Sequence, residues 1–123
     1  MKLLFEWSLP IYTVSEANNS DHWTKKKKRK DIQKRWIWVT FQKEKPKIPI
    51  PCHIKLTRVA SEKLDDDNLP VSMKYIRDAL ADQIFPGLPP GRADDKKLGL
   101  TWEYDQDIVG RSLSVLIQFF SLD

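Results

Sequence analysis

Leu113, Val115, Ile117 and Phe119 fall two residues apart near the end of the chain. In residues 52–60, Ile54, Leu56 and more weakly Ala60 stand against the polar Lys55, Thr57 and Arg58. Side chains two apart on a strand share a face, so each segment has an apolar side and a more polar side. Two such strands need a sheet whose apolar face is covered by other elements. Residues 2–9, KLLFEWSL, read as a further strand that Pro10 ends, and residues 97–105 as another. Residues 111–120 carry the last alternating run, with Gly110 in the turn before it.

The cover is expected from two helices. Residues 24–43 place Ile32, Trp36 and Val39 at spacings of four and three, with Thr24 as a possible cap. Trp36–Phe41 also suits a strand by propensity. Charges crowd residues 25–35, and a helix gives them one solvated face. Residues 69–84 place Met73, Ile76, Leu80 and Ile84 at helical spacing, with Asn68 as N-cap and Pro70 in the first turn. Residues 10–22 and the proline-rich 45–51 and 86–91 read as loops. The order β-α-β-α-β-β predicts an α+β fold: a mixed β-sheet of about four strands with two main helices, in one domain spanning 1–123.

Composition excludes several classes. At 123 residues, 41% hydrophobic and 31% charged, the chain can bury roughly two-thirds of its unfolded surface. Cys52 is the single cysteine, so no internal disulfide is possible. No apolar run approaches the ~20 residues of a membrane span. Glu6 interrupts the N-terminal apolar run too early for a signal-peptide core. A cytoplasmic protein without membrane contact is expected.

Net charge is only +4, but it is unevenly spread. Residues 1–60 hold 14 Lys and Arg against 5 Asp and Glu, and residues 61–123 hold 7 against 12. A basic surface beside an acidic site suits an enzyme that handles a polyanion through metal ions. The basic part is concentrated in Lys25, Lys26, Lys27, Lys28, Arg29, Lys30, Lys34 and Arg35. These residues are candidates to hold phosphates without reading sequence, with His22 as a further candidate. The plain alternative is a solvated helix face. Lys25–Lys28 span a full turn, so they do not all face one way.

The acidic part centres on Asp65-Asp66-Asp67-Asn68, between a predicted strand and a predicted helix. In extended backbone Asp65 and Asp67 share a face, and two carboxylates aimed at one place call for a cation. Mg²⁺ takes such oxygen ligands. The plain alternative is favourable contact with a helix dipole, typically about 0.3–1 kcal/mol per residue. An EF-hand is disfavoured, because Pro70 and Ile76 stand where its loop needs Gly and Glu. Asp94-Asp95 form a second acidic pair before the third strand.

Asp65-Asp66-Asp67-Asn68-Leu69, then Lys74, then Arg77-Asp78-Ala79-Leu80 and Ala81-Asp82, resemble the RusA family of Holliday junction resolvases. That family carries D-x-D-N-L, a lysine, an aspartate before a small residue and a leucine, and a later acidic pair. The N-terminal part fits too, with Leu9-Pro10, Asn18 or Asn19, His22-Trp23 and a basic helix. The resemblance covers most of the chain and is specific around 65–82. It implies a RusA-like fold and a homodimeric, Mg²⁺-dependent endonuclease of phage or prophage type, with Mn²⁺ as substitute and no organic cofactor. Its substrate would be branched DNA, cut by paired nicks at four-way junctions in recombination and repair. By the same resemblance, Asp65, Asp67 and Asp95 are metal-binding and catalytic, and Lys74 is the catalytic lysine. Asn68, Asp78 and Asp94 would lie around them. Lys74 follows Asp67 by seven residues, against four in the best-known pattern.

Two rivals stand beside this reading. One is a DNA-binding protein without catalysis that uses helix 24–43. The other is an interaction module stabilised by Ca²⁺ or Mg²⁺. Among the tryptophans, Trp7, Trp36, Trp38 and Trp102 are expected in the core or a dimer interface, and Trp23 is expected to pack rather than stack on a base. His53 is expected on a strand, away from any metal pair with His22.

Overall fold

The computed structural model describes residues 1–16, 22–89, 93, 96–110 and 113–122. The chain runs β1 (Lys2–Leu9), α1 (Trp23–Glu44), β2 (Cys52–Ala60), α2 (Asn68–Ser72), α3 (Lys74–Ile84), β3 (Leu100–Ile108) and β4 (Ser114–Ser121), with a short 3₁₀ turn at Lys96–Leu98. The four strands form one mixed sheet in the order β1-β4-β2-β3. The α+β class is as the alternation implies. Among the described residues, no helix is long and apolar enough to cross a membrane.

The register shows which residues share a face. Ile54 lies beside Phe119 and Trp102, and Leu56 beside Ile117 and Tyr104. These residues turn toward the helices and meet Ile37, Ile76 and Leu80 in one core. Trp7 meets Phe41 and Phe119 edge-on at 5.4 Å and 5.1 Å, which ties α1 to the sheet. The opposite face carries His53, Lys55, Glu103, Gln118 and Glu6, and among the described residues no helix packs on it. A sheet tolerates an uncovered face where the side chains on it are largely polar.

β2 and β3 are parallel, joined through α2 and α3 as a β-α-β crossover. β3 is therefore an edge strand, and β4 enters between β1 and β2 instead of pairing with β3. The chain after β3 hops the end of β2, where Val109 N–H donates to the Ala60 carbonyl at 2.9 Å. Gly99, at φ +97°, allows the turn into β3: a Cβ there would stand 2.7 Å from Ile50 Cγ2.

Several expectations need correction. β3 and β4 start three residues later than read; for β3 the reason is that Lys96–Leu98 form the 3₁₀ turn. The second helix is two helices broken at Met73, whose φ of −101° and ψ of 2° are not helical. α1 is capped by His22, not Thr24: His22 Nδ1 accepts from the Thr24 N–H at 3.2 Å. α1 also buries a different face, Gln33, Ile37 and Thr40, while Ile32 is 50% exposed. Gln33 donates to the Tyr12 carbonyl at 2.8 Å and Thr40 to the Trp36 carbonyl at 2.7 Å. A stripe in which two of three residues are polar can be buried because those groups find partners. Trp36 and Trp38 are accordingly exposed, not core, and Trp23 is 68% exposed at the first turn of α1.

Candidate functional site

The acidic run follows β2 directly. Leu64 is clamped to the edge strand by a double hydrogen bond: its N–H donates to Gln106 Oε1 at 3.0 Å, and Gln106 Nε2 donates to its carbonyl at 2.8 Å. The next carbonyl, of Asp65, accepts from both Asn68 N–H and Leu69 N–H at 3.0 Å. Asp65–Asn68 is thus a turn that leads into α2, and Asp67 has helical angles, φ −78° and ψ −23°. The extended backbone expected here is absent, because the first helical bonds already claim Asp65. Strand alternation is therefore not what orients Asp65 and Asp67 here. Asn68 is the first residue of α2 rather than its cap; Asp67 holds the cap position, with no side-chain capping bond.

Asp65, Asp66 and Asp67 are all exposed. Among the described residues, no cation or hydrogen-bond donor engages their carboxylates. Lys74 is exposed at the start of α3, beyond the break at Met73. Asp78 is half-buried on α3 near Tyr75. Burial chiefly pushes the Tyr75 phenol above its ordinary value, and the charges of Glu16 and Asp78 add to this while Arg29 opposes it. Asp94 and Asp95 lie outside the described residues, so the proposed ligand set is only partly placed. Among the described residues, no three His, Cys, Asp or Glu side chains converge as a metal site.

The basic helix divides into two functions. Arg29 is not a free cation: Nε and Nη2 reach the two Glu16 oxygens, each at 2.7 Å, with both side chains almost fully buried. Such a fork fixes the loop after β1 against α1. Lys30 sits over the Tyr75 ring, 5.7 Å from its centre, and helps seat α3. Lys25, Lys27, Lys28 and Arg35 are exposed and unpaired among the described residues, and Lys26 and Lys34 are half-buried. Thr24, Lys27, Lys28, Asp31, Arg35 and Trp38 line an open trough along the outer side of α1.

Tyr12 joins the two regions. It borders a groove with Lys25, Lys28 and Arg29 on one side, and a cleft with Arg58, Glu62 and Leu64 on the other. The exposed cations and the acidic turn are therefore both adjacent to the loop that follows β1. Gln106 and Glu16, which fix the two sides, carried no sequence signal, since each sits in an ordinary polar position. His53 is on β2 as expected; it is paired with Thr101 at 2.7 Å and Glu103 at 2.9 Å, on the open face of the sheet. Cys52 is buried, and burial pushes its thiol up, which makes it a poor nucleophile. Compared with protein-family models, curated proteins and solved structures, the chain matches none.

Proposed function

We propose that the protein is a Mg²⁺-dependent endodeoxyribonuclease that acts as a homodimer on branched DNA, nicking four-way junctions in the cytoplasm during recombination and repair. The observation that carries the reading is the state of the acidic turn: three adjacent aspartates, exposed and without any cationic partner among the described residues, close to a helix with exposed cations. Carboxylates that serve only stability are usually paired or spread apart, because like charges side by side repel. Hard oxygen donors of this kind suit Mg²⁺ or Mn²⁺. The similarity of residues 65–82 to the RusA pattern points the same way.

In this reading Asp65 and Asp67 would hold the ion, together with Asp95. The ion would supply charge neutralisation at the scissile phosphate and acidification of water. Lys74 would add positive charge at the phosphate, and the Gln106–Leu64 clamp would hold the turn in place. Lys25, Lys27, Lys28 and Arg35 would hold backbone phosphates. A two-fold dimer gives the symmetric sites that paired nicking requires.

A nicking assay on junction, flap and duplex DNA with Mg²⁺ tests this. Products from the junction in the parent, and none from Asp65→Asn or Asp67→Asn at unchanged junction binding, support the reading. Full cleavage by both variants overturns it. Binding without cleavage under any divalent cation favours the rival, a DNA-binding protein that uses α1 alone.

A further inference from the structure

The loops after β1 and β2 enclose a cleft of about 290 Å³ that ends at Leu64, one residue before the acidic turn. Arg58 enters it from β2, and the residue is only 6% exposed. Its Nε donates to Thr13 Oγ1 at 3.0 Å, Nη1 to the Glu62 carbonyl at 2.7 Å and Nη2 to the Thr13 carbonyl at 3.5 Å. That engages three of the five N–H groups of a guanidinium and leaves one on each terminal nitrogen. All three acceptors are uncharged.

Arg29 shows what a buried guanidinium usually has: a carboxylate gripped at two points. Arg58 has none among the described residues; Glu62 affects it only from a distance, with its carboxylate beyond ion-pair range. Burial pushes this guanidinium below its ordinary value, the expected response of a charge withdrawn from water without a counter-charge. Ser15 Oγ, also in the cleft, is buried and has no hydrogen-bond partner among the described residues. Thr13 Oγ1 accepts from Arg58, so its own proton is free to donate. The cleft thus combines a cation that keeps two uncommitted N–H groups with two hydroxyl donors, and Glu62, the acidic residue among its described lining, stands beyond ion-pair range of Arg58.

We propose that the Arg58–Thr13–Ser15 cleft binds a phosphate group, with Arg58 gripping two of its oxygens and the hydroxyls of Ser15 and Thr13 donating to the others. Arg is the side chain suited to this, because its fork matches two phosphate oxygens. The inference stands on the cleft alone and does not need the nuclease reading. A nucleic-acid strand and free phosphate present the same group, and the test separates the two sources.

Inorganic phosphate is titrated into the full-length protein at constant ionic strength, and binding is read from the ³¹P line width. A labelled oligonucleotide is followed in parallel by anisotropy. Ser15→Asp places a carboxylate beside Arg58, so it should raise Tm and weaken phosphate binding by about tenfold or more. Thr13→Val serves as a second variant, which removes a hydroxyl donor together with the acceptor of Arg58 Nε, and circular dichroism confirms that each is folded. Loss of both phosphate and oligonucleotide binding assigns the site to a strand phosphate. Loss of phosphate alone assigns it to free phosphate. Parent protein that does not broaden the phosphate line, or folded variants that broaden it equally, overturns the proposal.

Discussion

The molecule has two acidic regions near its β3 edge, and they are built in opposite ways. On the open face of the sheet, Glu103 and Asp105 are answered by cations. Lys55 Nζ lies 3.7 Å from Glu103 and 3.4 Å from Asp105, and His53 Nε2 lies 2.9 Å from Glu103. In the turn before α2, Asp65, Asp66 and Asp67 have no such answer among the described residues. The first region is a cross-strand ladder, in which Lys55 faces Glu103 directly in register. The second is a local turn that concentrates charge without relieving it. Counting carboxylates would rank the two alike; pairing separates a structural group from a candidate chemical one.

The sharpest way to break this comparison is to neutralise each region in turn. Asp67→Asn should lower junction cleavage by about 100-fold or more, the scale on which loss of an electrostatic contact in a site is felt. Glu103→Gln should leave cleavage within about twofold, since exposed pairs are worth little. Equal losses would erase the distinction. Gel quantification of nicked junction with Mg²⁺ gives both numbers.

Two further changes sharpen it by acting on support alone. Glu16→Gln removes the carboxylate that grips the nearly buried Arg29 at two points and should cost about 3 kcal/mol, read from urea unfolding. Gln106→Leu removes both bonds to Leu64 and should cost about 1–2 kcal/mol. It should also lower cleavage while junction affinity holds. A cleavage rate equal to the parent's would show that the acidic turn does not depend on its clamp.

The smallest expected effect concerns pH. Burial raises the Cys52 thiol above its ordinary 9.0 and the Tyr75 phenol above its ordinary 10.0. Between the unfolded and folded values the native state keeps protons that the unfolded chain has lost, so stability falls as pH rises. The contribution is fully present below about pH 9 and declines above it. Cys52→Ala should flatten the first part of that decline in a series of melts from pH 8 to 10.5. An unchanged slope would locate the titrating group elsewhere.

The strands β1 and β2 were legible to the residue, because Pro10 ends the one and alternation marks the other. The buried face of α1 was not legible. Ile32, Trp36 and Val39 look like a core stripe, yet Gln33, Ile37 and Thr40 are the residues buried. Gln33 is buried because the Tyr12 carbonyl, 21 residues away, waits for its amide. Arg58 misled in the same way. Grouped as a charged residue with Lys55 and Thr57 on the solvated side, it lies two residues beyond Leu56 on the buried face, where Thr13 and Glu62 supply acceptors. The turn at Asp65–Asn68 differed for a local reason, since two helical bonds end on the Asp65 carbonyl.

By itself the sequence determined the element types and their order, together with the charge split between its two halves. Apolar periodicity and proline placement act over a few residues and need no knowledge of distant partners. Tertiary structure alone decided that β4 lies between β1 and β2, which face of α1 meets the core, and which charges are paired. Those outcomes depend on groups far apart in the chain meeting at hydrogen-bond distance. Whether a carboxylate or guanidinium is answered there is a property of the assembled space, not of its neighbours in sequence.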